Sequence, residues 1–288
     1  MRWLRAPAKL NLTLRVVGRR ADGYHELESL VAFAGLCDWL GFDPGDGLVL
    51  EVLGPRAEEI GPVDENLVVR AVRSLTTQVP GLRLGRLRLI KRLPVAAGLG
   101  GGSADAAAAL RLLATGGGVP VDDPRVLASA RATGADVLAC LFPQARTIKG
   151  IGNELGPAIR LPGTFAVLVN PQVRAPTPKV FAAFDLASES KTEPRFRRAA
   201  PEGFGPAAVL DFRALGQNDL EAAAIQVAPQ ISTVLKRLSK ITEAKAIGMS
   251  GSGATCFALF GDGRTAVAAR RSVATEYPEW WVEATRLG

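Results

Sequence analysis

Residues 94–107 read Pro94-Val-Ala-Ala-Gly98-Leu-Gly100-Gly101-Gly102-Ser103-Ala104-Asp105-Ala106-Ala107. Glycine fills four of the five positions from 98 to 102, after a strand pattern at Leu87 and Leu89 and before an alanine-rich run to about Ala114 that favours helix. Glycine admits positive φ and lets a backbone come close to phosphate oxygens. The first amides of the following helix have no intrahelical acceptor, so its N-terminus is an anion site reinforced by the helix dipole. Two familiar phosphate loops are excluded. A Walker A loop needs a Gly-Lys pair, which the chain lacks, and the dinucleotide pattern begun at Gly98 would need glycine where Ser103 stands. A tight turn capped by Ser103 is the plainer reading of the same residues; the strand-to-helix setting favours phosphate.

Around this loop the composition is that of a globular protein, and 288 residues are enough for one large domain or two medium ones. No run approaches the roughly 18 apolar residues of a membrane helix, and Met1 to Pro7 lead into a strand pattern without signal-peptide architecture. Cys37, Cys140 and Cys256 are scattered, which argues against a disulfide framework and for a reducing cytoplasm. His25 is the one histidine, so a zinc cluster is not expected. The net charge of +7 suits anionic ligands, nucleic acid among them. The basic residues are dispersed, however, and the denser groups at Arg83–Arg92 and Arg195–Arg198 read as solvated charge.

Leu10, Leu12, Leu14 and Val16 alternate with Lys9, Asn11, Thr13 and Arg15, which predicts one strand with Lys9 and Asn11 on the same face, roughly 7 Å apart. Asp64 is read as the cap of a helix with Leu67, Val68, Ala71, Val72 and Leu75 on one face. Asp123-Pro124 opens another helix. The second half reads as strand 165–169, helices 178–184, 218–227 and 230–238, strands 246–249 and 255–260, helix 264–275 and strand 281–285. Residues 188–206 read as a flexible surface loop. A domain boundary is placed near Pro157–Pro162.

The loop resembles the Pro-x3-Gly-Leu-Gly-x-x-Ser motif of the galactokinase, homoserine kinase, mevalonate kinase and phosphomevalonate kinase superfamily, with Pro94, Gly98, Leu99, Gly100 and Ser103 coinciding. Gly248-Met-Ser250-Gly251-Ser252-Gly253-Ala254-Thr255 resembles the superfamily's C-terminal glycine motif. Further segments are similar, in order, to the branch that phosphorylates the 2-hydroxyl of 4-diphosphocytidyl-2-C-methyl-D-erythritol. They are Ala6–Leu12, Arg20–Leu27 (the most diagnostic), Asp64–Val68, Lys91–Pro94, Gly134–Val137, Pro176–Pro178 and Gln217–Glu221. The resemblance implies an α/β (α+β), two-domain small-molecule kinase fold, with an S5-like N-terminal half and a ferredoxin-like C-terminal half. Residues 1–156 would be the ATP-binding and catalytic domain and 157–288 the substrate-binding domain.

It also implies roles. Asp136 matches the base that accepts the substrate hydroxyl proton, and Lys9 the lysine that holds it ionised and steadies the transferring phosphoryl group. Asn66, Lys91, Pro94, Gly98, Leu99, Gly100, Gly101, Gly102, Ser103, Gly251, Ser252 and Gly253 match the ATP site, Asn66 and Lys91 on its adenine side. Asn11, Tyr24, His25, Thr177 and Phe181 match the acceptor site, with Tyr24 and Phe181 enclosing a cytosine whose polar edge His25 reads. ATP and Mg2+ are the implied cofactors, the metal ligands being undefined beyond Ser103. The implied partner is a cytidine-diphosphate-linked polyol, with no nucleic acid and no membrane; monomer and homodimer both stay open. Ala104 replaces the usual second serine, Leu138 the usual proline after Gly-Ala-Asp-Val, and 142–155 are poorer in glycine than is typical. The competing readings are another kinase of the superfamily, acting on homoserine or mevalonate, and an S5-like nucleic-acid-binding protein.

Overall fold

The computed structural model describes residues 1–189 and 215–288. Most of the expected 188–206 loop, with the Arg195–Arg198 group, lies outside the described residues. The chain forms two compact units that do not follow its linear halves. Unit one holds Met1–Lys9, Leu36–Val95 and Gly100–Pro143; unit two holds Leu10–Gly35, Ala96–Leu99 and Gln144–Gly288.

Strand β1 (Arg2–Asn11) carries Lys9 and Asn11 as expected, but the alternating run is not one strand. It breaks after Asn11 and resumes as β2 (Arg15–Arg19). Leu12 and Leu14 stay buried in the break, where their amides donate to the carbonyls of Leu30 and Gln217. Strand β3 (His25–Pro44) is 20 residues long and passes from unit two into unit one. Glycine and aspartate interrupt its apolar pattern for local reasons. A Cβ on Gly35 would stand 3.1 Å from Thr285 Oγ1, and one on Gly41 2.9 Å from the Trp3 ring. Asp38 is fully buried, with partners described below.

In unit one the second half of β3 pairs antiparallel with β5 (Gly85–Ile90), which runs parallel to β4 (Leu48–Leu53). Leu87 and Leu89 of β5 face inward, while Arg88 reaches Glu51 at 2.9 Å. Helix α1 (Leu67–Gln78) makes the crossover between these parallel strands, as a parallel pair requires, and buries Val68, Val69, Ala71, Val72 and Leu75. Its cap is Asn66 rather than Asp64, which lies in the preceding 3-10 turn; Asn66 Oδ1 accepts from the Val68 amide at 2.9 Å. Helices α2 (Gly101–Gly116), α3 (Pro124–Thr133) and α4 (Val137–Leu141) complete the layer, α2 packing against α1 and α4. Asp123 caps α3 with Pro124 at its first position, as expected.

In unit two the first half of β3 pairs with β2 and with β6 (Arg146–Gly150). β6 turns back into β7 (Glu154–Ala158) through Gly150 and Gly152, both at positive φ. A second sheet follows from β8 (Phe165–Asn170), α5 (Thr177–Glu189), α6 (Glu221–Val227), α7 (Gln230–Leu238), β9 (Ala246–Met249), β10 (Cys256–Phe260), α8 (Gly263–Glu276) and β11 (Trp281–Arg286). The order β11-β8-β10-β9, antiparallel throughout, is the ferredoxin-like arrangement. Val167, Val169, Ala258, Phe260 and Val282 supply the sheet side of its core, and Val180, Ile231, Val234, Ala266 and Val273 the helix side. Leu14 and Val16 join the same cluster.

All three cysteines are buried and free. Burial pushes the thiols of Cys140 and Cys256 up, with Asp136 adding to it at Cys140 and Glu221 at Cys256. Among the described residues no helix is long and apolar enough to cross a membrane.

Candidate active site

Unit one holds the pair expected to do the chemistry. Lys9, near the end of β1, is 4 % exposed, and its Nζ lies 3.0 Å from Asp136 Oδ1, which is 36 % exposed. The carboxylate therefore faces solvent on one side and a buried ammonium on the other. Asp136 sits just ahead of α4 and its side chain caps nothing there, so the carboxylate serves no helix end.

The helix that begins at the glycine loop also belongs to unit one. Gly100 ends the loop in the left-handed region at φ +59° and stands at the N-cap of α2. The first intrahelical bond runs from the Ala104 amide to the Gly100 carbonyl, so the amides of Gly101, Gly102 and Ser103 lie ahead of it. Ser103 is accordingly not the cap; its half-buried hydroxyl belongs to the first turn. Positive φ occurs at Gly98 and Gly100, whereas Gly101 and Gly102 are helical, and of these only Gly101 is crowded. A Cβ on Gly101 would stand 3.1 Å from Lys91 Nζ. Pro94 leads into this loop, and Asn66, expected nearby on the adenine side, is half-buried with its carbonyl engaged as the α1 cap.

Lys91 is placed differently from what its expected position suggests. Its ammonium is 3 % exposed and lies between Asp38 Oδ2 at 2.5 Å and Asp105 Oδ2 at 2.8 Å. Burial alone would lower the lysine, but the two carboxylates outweigh it and hold Lys91 above its ordinary value. Asp105 is pushed up to about 7, chiefly by burial, with Lys91 opposing and Asp38 adding to the rise. Neither aspartate was singled out from the sequence. In the sequence Asp38 merely interrupts the apolar run from Leu30 to Phe42, and Asp105 is one polar residue among alanines.

Unit two holds the second glycine motif and the residues expected at the acceptor. Ser250 Oγ accepts from the Asn11 amide at 3.0 Å and donates to the Gly98 carbonyl at 2.7 Å. The Thr255 amide donates to Ala97 at 3.1 Å. Gly98 has no room for a side chain: its Cβ would fall 2.3 Å from the Ser250 carbonyl oxygen. The two glycine motifs thus meet, through Ala97 and Gly98 on one side and Ser250, Gly253 and Thr255 on the other. Asn218 Nδ2 donates to the carbonyls of Met249 and Gly251, both at 2.8 Å, and so shapes the motif around Gly251, Ser252 and Gly253. Asn11 Nδ2 donates to Ser29 Oγ at 2.7 Å, and Thr177 Oγ1 meets Ser252 Oγ at 2.8 Å. Ser250 and Asn218 lay within segments quoted for the resemblance, yet nothing in their residue type revealed these bonds.

His25 starts β3, buried, with Nε2 2.7 Å from Asp185 Oδ1. The Phe181 ring stacks on it at 4.6 Å and 23°, and Phe184 meets it edge-on. Tyr24 is 61 % exposed at the end of a turn closed by the Arg20 amide on its carbonyl. The aromatic stack built here is therefore His25 on Phe181, beside an open tyrosine. Asp185, one turn beyond Phe181 on α5, was missed.

The chain matches the GHMP kinase N-terminal domain over residues 66–144 and the GHMP kinase C-terminal domain over residues 203–279. It is 52 % identical to the 4-diphosphocytidyl-2-C-methyl-D-erythritol kinase of Xanthobacter autotrophicus, covering 98 % of each chain. It is 51 % identical to the kinase of the same name from Methylorubrum extorquens, again over 98 % of each. A crystal structure of 4-(cytidine 5'-diphospho)-2C-methyl-D-erythritol kinase superposes with a TM-score of 0.80 at 33 % identity, covering 100 % of this chain and 99 % of the other. With its GHMP kinase fold and half its residues shared with such relatives along nearly its whole length, the chain belongs to the 4-diphosphocytidyl-2-C-methyl-D-erythritol kinase family.

Proposed function

We propose that this kinase transfers the γ-phosphoryl group of ATP to the 2-hydroxyl of 4-diphosphocytidyl-2-C-methyl-D-erythritol, in the non-mevalonate route to isoprenoid precursors. The observation that carries the reading is the Lys9–Asp136 pair at 3.0 Å, a carboxylate open to solvent and backed by a buried cation. Phosphoryl transfer asks little covalent work of a protein; it needs an oriented hydroxyl, a place for its proton and positive charge for the phosphates. Asp136 takes the proton as the hydroxyl oxygen bonds to the γ-phosphorus and the bond to the ADP oxygen breaks. Lys9 holds the Asp136 carboxylate in place at 3.0 Å and offers its charge to the transferring group. Phosphate oxygens are received by the amides of Gly101, Gly102 and Ser103 at the start of α2, with Pro94, Gly98, Leu99 and Gly100 shaping the loop. Asn66 lies on the adenine side, and Gly251, Ser252 and Gly253 belong to the same nucleotide set.

For the acceptor, Tyr24 supplies a ring face to cytosine, Phe181 and His25 a second aromatic surface, and Thr177 and Asn11 polar contacts. Mg2+ is the metal proposed. Among the described residues no three acidic, cysteine or histidine side chains cluster to cage a cation. That donor set fits an ion held chiefly by phosphate oxygens and water, with the Ser103 hydroxyl as the protein's contribution. When bound it neutralises phosphate charge. ATP binding and catalysis are assigned chiefly to residues 1–156 and acceptor binding chiefly to 157–288, with Gly251, Ser252 and Gly253 serving the nucleotide and Asn11, Tyr24 and His25 the acceptor. Three buried, unpaired cysteines support a cytoplasmic setting. The test is a panel of ATP-dependent assays with the cytidine substrate, mevalonate and homoserine as acceptors, the product identified by phosphorus NMR. Turnover confined to mevalonate or homoserine overturns the reading.

A further inference from the structure

The buried ion cluster of Lys91, Asp38 and Asp105 joins the pieces of backbone that flank the glycine loop in unit one. Asp38 stands on β3, and its Oδ1 accepts the amides of Arg92 at 2.6 Å and Leu93 at 2.9 Å. Those residues form the turn that leaves β5 and leads to Pro94. Its other oxygen holds Lys91 Nζ, which also holds Asp105, one turn into α2. The Lys91 backbone is fixed as well, its amide donating to Leu53 at 2.7 Å and its carbonyl accepting from Arg56 at 3.2 Å. Gly101 packs over the ammonium, where a Cβ would make a tight contact of 3.1 Å with Nζ. Three charged side chains, each 3 % exposed or less, thus fasten strand, turn and helix to one another at the helix start expected to receive phosphate.

We propose that Asp38, Lys91 and Asp105 are positioning residues for the nucleotide, setting the first turn of α2 against the turn that enters the loop, and that Lys91 acts through the two aspartates rather than by touching ATP. A long basic side chain beside a phosphate loop is ordinarily read as a phosphate contact. Here its ammonium donates to Asp38 and Asp105 inside a closed cluster, and its charge is already met there by two carboxylates. Asp105 Oδ1 is the only buried side-chain polar atom among the described residues without a hydrogen-bond partner. A cluster that keeps such an atom is costly for stability alone, since burying charge is often no better than apolar packing. It does fix one geometry.

The inference rests on the reading of the loop as an ATP site, so nucleotide binding is measured directly. Calorimetry with a non-hydrolysable ATP analogue, and separately with the cytidine substrate, is run on the wild type, Asp38→Asn, Asp105→Asn and the double variant. Each single variant is expected to weaken the analogue about tenfold while the cytidine substrate stays within about twofold. The double variant is expected to lose little more than the worse single, because both changes release the same lysine. Analogue affinity unchanged in a folded Asp38→Asn protein overturns the proposal, as does equal weakening of both ligands, the mark of general loosening. Fully additive losses would mean independent contacts and would also overturn it. If Asp38→Asn does not fold, Lys91→Met paired with Asp105→Asn gives the same cycle, additivity again counting against the proposal. Failure of the wild type to bind the analogue at all defeats the ATP reading instead.

Discussion

Asp136→Asn keeps the size and one acceptor of the side chain but removes its negative charge and its capacity to take a proton. Lys9 is 96 % covered and has little room to move, so the geometry of the pair is expected to survive largely while the chemistry does not. Turnover is expected to fall by about 10²–10⁴-fold, the usual contribution of a positioned base, with ATP affinity nearly unchanged. Steady-state kinetics with a separate nucleotide-binding measurement checks this; near-normal kcat would take Asp136 out of the role. Tyr24→Ala tests the other end of the acceptor. At 61 % exposure the ring supports no core, so its loss should leave stability alone. Losing one stacking face costs roughly 1–3 kcal/mol, so KM for the cytidine substrate should rise about 5- to 150-fold with KM for ATP unaltered. A well-folded variant with unchanged KM removes Tyr24 from the pocket. Lys9 and Asp136 were legible because their segments carry a resemblance. Asp38 was not: an aspartate in an apolar stretch looks like an interruption until the lysine it faces, 53 positions away, is brought beside it.

At the scale of elements, the β5–loop–α2 passage and the whole βαββαβ of the C-terminal part were readable from periodicity and punctuation. Helix α7 begins and ends where its pattern does. What escaped is instructive. β3 alternates poorly because much of it is covered on both faces, and its glycines make room for Trp3 and Thr285 rather than for a turn. The β6–β7 hairpin has short strands with little apolar pattern, held by pairing to β3 that local sequence does not announce. The α1 cap fell two residues late because Asp64 and Asn66 are both good caps, and the 3-10 turn decides between them. The glycine loop gives an element-scale prediction. Gly98→Ala would pay about 1–2 kcal/mol for its φ of +75° alone, before the 2.3 Å clash with the Ser250 carbonyl is relieved. The two glycine motifs should part. The expected result is a lowered melting temperature together with weakened ATP-analogue binding; a variant as stable and as tight-binding as the wild type would show that the contact is dispensable.

For the whole molecule, the boundary suggested near 156–157 describes the sequence better than the folded chain. The backbone passes between the two compact units five times, at residues 9–10, 35–36, 95–96, 99–100 and 143–144. Leu14 and Val16 sit in the core of the ferredoxin-like sheet, and Phe33 exchanges both backbone hydrogen bonds with Gly288. A fragment of residues 157–288 is therefore expected to lack stable structure, having lost Leu14 and Val16 from its core and Phe33 from its pairing with Gly288. Circular dichroism and amide NMR dispersion decide it; a cooperatively folded fragment would restore the linear boundary. Periodicity could not foresee this, because it reports which face of an element is buried and not which distant element buries it. The three enclosed cysteines have a practical consequence of another kind. With Cys37, Cys140 and Cys256 all covered, and two of the thiols held from ionising, an alkylating probe finds no ready nucleophile in the native fold. A cysteine introduced at Leu186, 69 % exposed on the helix that carries Thr177 and Phe181, would take a maleimide dye at one place. Substrate arrival could then be followed optically on an otherwise native protein.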